Sequence, residues 1–197
     1  MILYKKIYLA SRSSRRRELL KQIGVNFDLL IPDVNEAPLE KEAPTDYVLR
    51  ISRIKAEAGW TLVAGRKLPR FPVLAADTVV VSGRQIIGKP SGRHEAMEML
   101  RLLSASSHKV LTAVSVAHAG RLEQRLSVSK VRFKSLTEHE IRRYAATGEP
   151  LDKAGAYAIQ GHAAAFIEKI EGSYSGVMGL PLYETAELLA QFGIEVL

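Results

Sequence analysis

Asp77 stands in Val73-Leu74-Ala75-Ala76-Asp77-Thr78-Val79-Val80-Val81, where every neighbour except Thr78 is apolar. An unpaired carboxylate facing a core is costly, so this one needs a partner or an opening to solvent. At a cleft it serves as a general base, a metal ligand or both, with Thr78 on the opposite strand face or at the strand end. Away from a cleft it caps a nearby turn. Three consecutive cations, Arg15, Arg16 and Arg17, fall where a helix is expected to begin. Partial positive charge and unpaired N–H groups gather there, so the site favours an anion and not arginine. A bound phosphate reverses that conflict, because amides and guanidinium groups then converge on the same oxygens. The alternative is that Arg16 and Arg17 project into solvent and pair with Glu18 or a distant carboxylate.

Lys89, held between Gly88 and Pro90, is a single ammonium on a rigid turn beyond a strand, a placement suited to phosphate. Glu36 lies in the turn-prone Pro32-Asp33-Val34-Asn35-Glu36-Ala37-Pro38, where it either joins Asp77 as a hard oxygen ligand for a divalent cation or is simply solvated. Lys55 falls on a helical pattern, where solvation is the default for lysine. Gln160 closes the segment from Asp152 to Gly161, which is small in its middle. Its amide offers a donor and an acceptor to a base edge, or is satisfied by its own loop. His94, His108, His118, His139 and His162 are dispersed without metal-ligand spacing, and no Gly-x-Ser-x-Gly elbow is present.

The elements that position these groups follow from pattern. Ile7 to Ala10 reads as a strand, and Ser13 or Ser14 caps a helix with Leu19, Leu20 and Ile23 on one face, ended by Gly24. Phe27 to Ile31 is a second strand. Pro44 and Thr45 open a helix reaching about Gly59, with Tyr47, Val48, Ile51, Ile54 and Ala58 as its core face. The Val-rich run containing Asp77 is a buried strand that Ser82-Gly83-Arg84 turns toward Gln85 to Ile87. A helix from Glu95 to Leu103 precedes a hairpin of His108 to Ala117 with Leu122 to Phe133. Thr137 and Glu140 make a capping box for a helix that Gly148 ends. Ala154 to Ala165 is a Gly- and Ala-rich stretch, followed by an apolar segment near Phe166 and a helix from Tyr183 to Phe192. No linker or repeat divides residues 1–197, so one mixed α/β unit is expected, cleft into two lobes.

Composition narrows the classes. The 197 residues are 47% hydrophobic and 25% charged, which excludes disorder as the main state, and no stretch approaches the roughly 20 apolar residues of a membrane span. Lys5 and Lys6 follow a short apolar start instead of preceding a long one, so export is not expected. With no cysteine, any metal sits on oxygen or imidazole. The formal charge of +7 invites an anionic partner, but aromatics at 7% do not supply the stacking of a single-strand RNA platform.

Six pieces, in order, resemble the Maf family over nearly the full length: Ala10-Ser11-Arg12-Ser13-Ser14-Arg15-Arg16-Arg17-Glu18-Leu19-Leu20; the Asp33 to Pro38 loop; Ala76-Asp77-Thr78; Gly88-Lys89-Pro90; Asp152-Lys153-Ala154-Gly155-Ala156-Tyr157 with Ile159-Gln160-Gly161; and Gly172-Ser173-Tyr174 with Gly179-Leu180-Pro181-Leu182. The resemblance implies an elongated mixed β-sheet flanked by helices, two lobes around a cleft, as in Maf and ITPase proteins. It implies a nucleoside triphosphate pyrophosphatase that uses a divalent metal, Mg or Mn, to cleave between the α and β phosphates. Carried over, Arg15 and Arg16 match the paired substrate-binding arginines and Asp77 the catalytic base. Glu36, Lys55 and Lys89 match the remaining polar positions, and Gln160 the amide of the specificity loop. Arg15, Thr78 and Gln160 together resemble the branch acting on dTTP and UTP. Ser14 stands where the family usually has proline, which would preset the first helical turn. Glu36 and Asp77 are the expected metal ligands. A cytoplasmic location, a homodimer and no stable nucleic-acid partner complete the expectation. The rival reading is a non-enzymatic nucleotide- or nucleic-acid-binding regulator of cell division, for which a carboxylate amid the phosphate-binding cations has no use.

Overall fold

The computed structural model describes residues 5–196. Residues 1–4 and 197 lie outside it, and with them the ends of the expected 1–197 unit and part of the amino-terminal pattern that bears on export. The described chain runs β1 (Ile7–Leu9), α1 (Ser14–Gln22), β2 (Phe27–Leu29), α2 (Pro44–Gly65), β3 (Val73–Ser82), β4 (Gln85–Ile87), α3 (Arg93–Leu103), β5 (Ser107–His118), β6 (Arg121–Phe133), α4 (Glu138–Ala146), β7 (Ile167–Glu171), α5 (Tyr174–Met178) and α6 (Leu182–Gln191). Three short 3₁₀ turns, Glu149–Asp152, Ala154–Ala156 and His162–Phe166, lie between α4 and β7. The sheet is ordered β2-β1-β3-β5-β6-β7, with β4 also on β3. β1 is parallel to both neighbours and the other pairs are antiparallel, which makes the sheet mixed, as expected.

Local chemistry sets the ends. Ser13 accepts a hydrogen bond from the Arg16 amide at 3.4 Å, so α1 starts at Ser14 with a side-chain cap and no proline. The Thr137 and Glu140 capping box is formed. Three expectations are corrected. β2 ends at Leu29, two residues before Ile31. α2 continues past Gly59 to Gly65, and its buried face is Val48, Ile51, Ser52, Ala56, Gly59 and Val63, while Ile54 and Ala58 are only partly buried. Packing of Val63 beside Val73 and Ala117 carries the helix through a glycine that propensity alone would treat as a stop. That glycine is required: a Cβ on Gly59 would lie 2.7 Å from Val73 Cγ1. The third correction is α5, a five-residue helix that no periodicity announces.

The lobes have a physical origin in β3 and β5. On one face, Leu74 and Ala76 with Val114 and Val116 join a cluster under α1 and α6, whereas Val80 and Val110 join another with Val131, Phe133 and residues of α3 and α4. On the other face, Val73 and Ala75 pack with Ala56 and Val63, whereas Val79 and Val81 pack with Val48. Between the clusters stand Thr78 on the first face and Asp77 on the second, in register with Thr112 and Ala113 of β5. Two adjacent polar residues therefore interrupt both cores at one level.

Candidate active site

The β3 edge explains how neighbours on opposite faces reach one space. β1 pairs with β3 only at Val73 and Leu74, and β4 only from Val80 onward. The intervening stretch has no strand partner on that side among the described residues, and there a cavity of about 870 Å³ opens onto both Asp77 and Thr78. Arg15, Arg16, Glu36, Lys55, Lys89 and Gln160 line the same cavity, so all eight residues singled out from the sequence meet in one place.

Asp77 is buried, and Oδ1 lies 2.9 Å from Lys55 Nζ on α2. The same ammonium is 2.9 Å from Glu36 Oε2. Lys55 is thus not the solvated lysine that its helical position suggests. The close approach of α2 to β3 at Gly59 and Val73 places residues one turn earlier on the helix against residues four further along the strand. Burial pushes the Asp77 carboxyl above its usual value, with Lys55 and then Arg16 acting against it.

The arginines resolve their conflict with α1 in a way neither sequence alternative foresaw. Arg16 donates from Nε to the Gly179 carbonyl at 2.7 Å, from Nη1 to Ser11 Oγ at 3.3 Å and from Nη2 to Thr78 Oγ1 at 3.1 Å. Arg15 donates from Nε to the Met178 carbonyl at 3.3 Å. Both therefore fold away from the positive end of α1 onto the last carbonyls of α5, which need donors. Three of the five Arg16 donors are used, which leaves two for a ligand. Burial pushes the Arg16 guanidinium below its usual value, and Asp77 opposes this.

Thr78 is oriented through a chain whose hydrogens can be assigned. Thr112 donates to the Gly176 carbonyl at 2.7 Å, so it accepts from Thr78 at 3.0 Å, and Thr78 accepts from Arg16. At the opposite wall, Gly155 has φ +70° and donates to the Gly88 carbonyl at 2.9 Å. A Cβ there would strike Val80, so glycine permits the contact that brings the Lys89 turn against the Gln160 loop. Tyr157 fixes that loop further through His108 Nε2, at 2.8 Å. Lys89 and Gln160 are exposed, and among the described residues no hydrogen bond engages the Gln160 amide.

Sequence reasoning missed Ser11, Thr112 and Lys153. Lys153 lines the cavity and contacts Asp152. Thr112 looks like any strand threonine until its register with Thr78 is known. Ser11 and Lys153 sit inside the quoted motifs, and their polarity beside the arginines and Gly155 was the available signal.

For a divalent metal, the donor chemistry fits. Glu36 and Asp77 converge on one cationic point, here the Lys55 ammonium, and both offer hard oxygens. No cluster of three or more His, Cys, Asp or Glu occurs among the described residues. The remaining ligands would come from phosphate and water, as is usual for magnesium.

A family model described as Maf-like protein matches residues 6–192. The chain is 54% identical to the dTTP/UTP pyrophosphatase of Nitrosomonas europaea, over 96% of each sequence. It is 53% identical to the dTTP/UTP pyrophosphatase of Aromatoleum aromaticum, over 95% of this chain and 96% of that one. Among solved structures, the Ham1 protein of Staphylococcus aureus matches with a TM-score of 0.50 over 95% of this chain and 97% of the other, at 12% identity, a likeness of fold.

Proposed function

This chain belongs to the Maf-like protein family, and we infer that the cavity beside Asp77 is where it hydrolyses dTTP and UTP to the monophosphate and pyrophosphate. The observation that carries the assignment of the site is the meeting of one buried carboxylate, raised by desolvation, with Arg15, Arg16, Lys55 and Lys89 around one cavity. The relatives' activity supplies the reaction.

Water cannot approach a triphosphate until its charge is screened and the leaving group is stabilised. Arg15 has most of its donors unused, Arg16 keeps two, and Lys89 stands exposed on its turn, so these three supply fixed positive charge to the phosphates. Asp77 takes the proton from the attacking water, the bond between the α and β phosphates breaks, and pyrophosphate departs with the bonding electrons. A raised carboxyl is better matched to this task than an ordinary one. Glu36 and Asp77 are the residues that would hold magnesium or manganese. When bound, such a metal neutralises phosphate charge and acidifies water. The Lys55 ammonium draws these two carboxylates to one point. Thr78 and Gln160 face the nucleoside, and the Gln160 amide pairs with the alternating carbonyl and imide groups of thymine or uracil.

No helix among the described residues is long and apolar enough to cross a membrane. With a nucleotide substrate, we place the enzyme in the cytoplasm, as one unit over residues 1–197, a homodimer without a stable nucleic-acid partner. Pyrophosphate release from dTTP, UTP, CTP, GTP and 7-methyl-GTP with magnesium or manganese tests the function. A preference for dTTP and UTP supports it, and a preference for either guanine nucleotide refutes it.

A further inference from the structure

Gln160 owes its position to a pair of residues that do not touch the cavity. After five buried residues, Gly155 to Ile159, it is the first exposed one. The backbone is tied down on both sides of it. The amide of Ala158, two residues before, donates to the Tyr144 hydroxyl at 3.3 Å. Tyr144 in turn donates to Glu149 Oε1 at 2.8 Å. Glu149 Oε2 accepts the amide of His162, two residues after Gln160, at 3.1 Å, and the His162 ring Nδ1 at 2.8 Å. A turn bond from the Gly161 amide to the Ala158 carbonyl, 3.0 Å, closes the segment over this pair.

Gly161 shows how tight the arrangement is. A Cβ on that residue would lie 2.3 to 2.5 Å from the carboxylate carbon and oxygens of Glu149, so a larger residue there would push the carboxylate out of this position. The loop floor is firm as well. Ile159 is buried in the cluster with Tyr144 and Phe166, whose rings stand edge to face at 5.3 Å. Glu149, Tyr144 and His162 are absent from the cavity wall, whereas Ala158, Ile159 and Gln160 belong to it.

We propose that Glu149, acting with Tyr144, is a positioning residue for base selection: it clamps residues 158 and 162 so that the Gln160 amide is presented to the base in one orientation. A flexible glutamine would lose affinity to ordering and would discriminate poorly, since selection by hydrogen bonds depends on unpaired groups being unable to relax. The inference rests on the reading of Gln160 as the base-reading amide.

The test uses the full chain in the wild type, Glu149→Ala, Glu149→Gln, Tyr144→Phe, Gln160→Ala and the Glu149→Ala, Gln160→Ala double variant. In Glu149→Ala, the KM for dTTP rises about 10-fold, kcat changes by less than about threefold, and the preference for dTTP over CTP shrinks, as expected when alignment and not chemistry is lost. Glu149→Gln, which keeps an acceptor oxygen, recovers part of the preference. In the Gln160→Ala background, loss of Glu149 moves the dTTP to CTP ratio no further. Amide exchange in the nucleotide-free protein quickens across residues 157–163 in Glu149→Ala. Should that variant fold poorly, Tyr144→Phe, which deletes one hydroxyl of the pair, carries the same expectations. Unchanged exchange, or an effect on the ratio that adds in full to that of Gln160→Ala, overturns the inference while leaving dTTP and UTP hydrolysis standing. A wild type that prefers guanine nucleotides overturns the functional reading instead. The exchange measurement then still decides whether Glu149 holds the loop.

Discussion

Lys55 Nζ lies 2.9 Å from Asp77 Oδ1, bridging α2 to a carboxylate in the middle of β3. The ammonium also holds Glu36 at 2.9 Å, so one cation gathers both acidic residues of the cavity. Loss of the Lys55 ammonium would leave two carboxylates facing each other across the cavity with no cation between them.

Burial of the Asp77 carboxylate costs the folded chain stability at neutral pH. Burial holds its carboxyl above the usual value, so the folded chain keeps this proton to higher pH than the unfolded chain does. The group's contribution to stability is therefore present below about pH 4 and is lost as pH rises through the folded value. Asp77→Asn removes the charge and keeps the shape. Its melting temperature at pH 7 equals or exceeds that of the wild type, and the advantage narrows toward pH 3. Thermal melts across pH decide this, and an Asn variant that melts well below the wild type at pH 7 goes against the account.

Arg15 and Arg16 separate into different roles. Arg16→Ala removes three hydrogen bonds, two from a guanidinium to side-chain oxygens and one to the carbonyl of Gly179. It lowers stability by about 1–3 kcal/mol and also raises KM, because a charge-assisted network between α1, β3 and the end of α5 is lost. Arg15→Ala, losing one bond of 3.3 Å, leaves the melting temperature within a few degrees and raises KM for the triphosphate. Denaturant titrations beside initial rates separate the two, and equal stability losses would show that Arg15 is as structural as Arg16.

Much of this was legible in the sequence because it is local. The Val-rich run around Asp77, the capping box of Thr137 and Glu140 and the hairpin of β5 with β6 each depend on a few adjacent residues. The eight residues that line the cavity together could be named as candidates because their types conflict with their surroundings or sit in recognisable short motifs. What was not legible depends on contacts far apart in the chain. Arg16 meets Gly179 across 163 positions, and Thr78 meets Thr112 across 34. The helix that receives the arginines, α5, has only five residues, too few for any apolar period; Ser173 as its cap and Gly179 at its end were its only signs. α2 outruns its local pattern for the opposite reason, since tertiary packing on Val63 outweighs Gly59.

His108 predicts an acid limb of stability. It is buried between Phe133 and Tyr157, and burial pushes it from 6.5 down to about 4. The unfolded chain binds a proton that the folded chain refuses between those values. Stability is therefore complete above pH 6.5 and falls by roughly 3 kcal/mol as pH drops to 4. His108→Phe lacks this limb. It also releases the Tyr157 hydroxyl, 2.8 Å from His108 Nε2, and loosens the Gln160 loop at neutral pH. Urea midpoints at pH 7, 5.5 and 4.5 check it, and parallel pH profiles for the two proteins would exclude His108 as the source.

Gln160→Glu replaces an amide donor with an acceptor-only carboxylate at an exposed position on the cavity rim. Turnover of dTTP and UTP falls by about 10-fold or more in kcat/KM, and CTP, whose edge offers a donor where thymine and uracil offer an acceptor, is hurt least. Competition assays with mixed nucleotides give the ratio directly, and an unchanged ranking would move base reading elsewhere in the cavity.

The most direct measurement is product analysis of dTTP with magnesium, wild type beside Asp77→Asn, both shown to be folded by their melting curves. The account predicts that the wild type releases dTMP and pyrophosphate in equal amounts, and that the variant does so at least about 10²-fold more slowly, the usual worth of a positioned general base. Wild-type turnover in Asp77→Asn, or thymidine diphosphate and orthophosphate as the products, would contradict it.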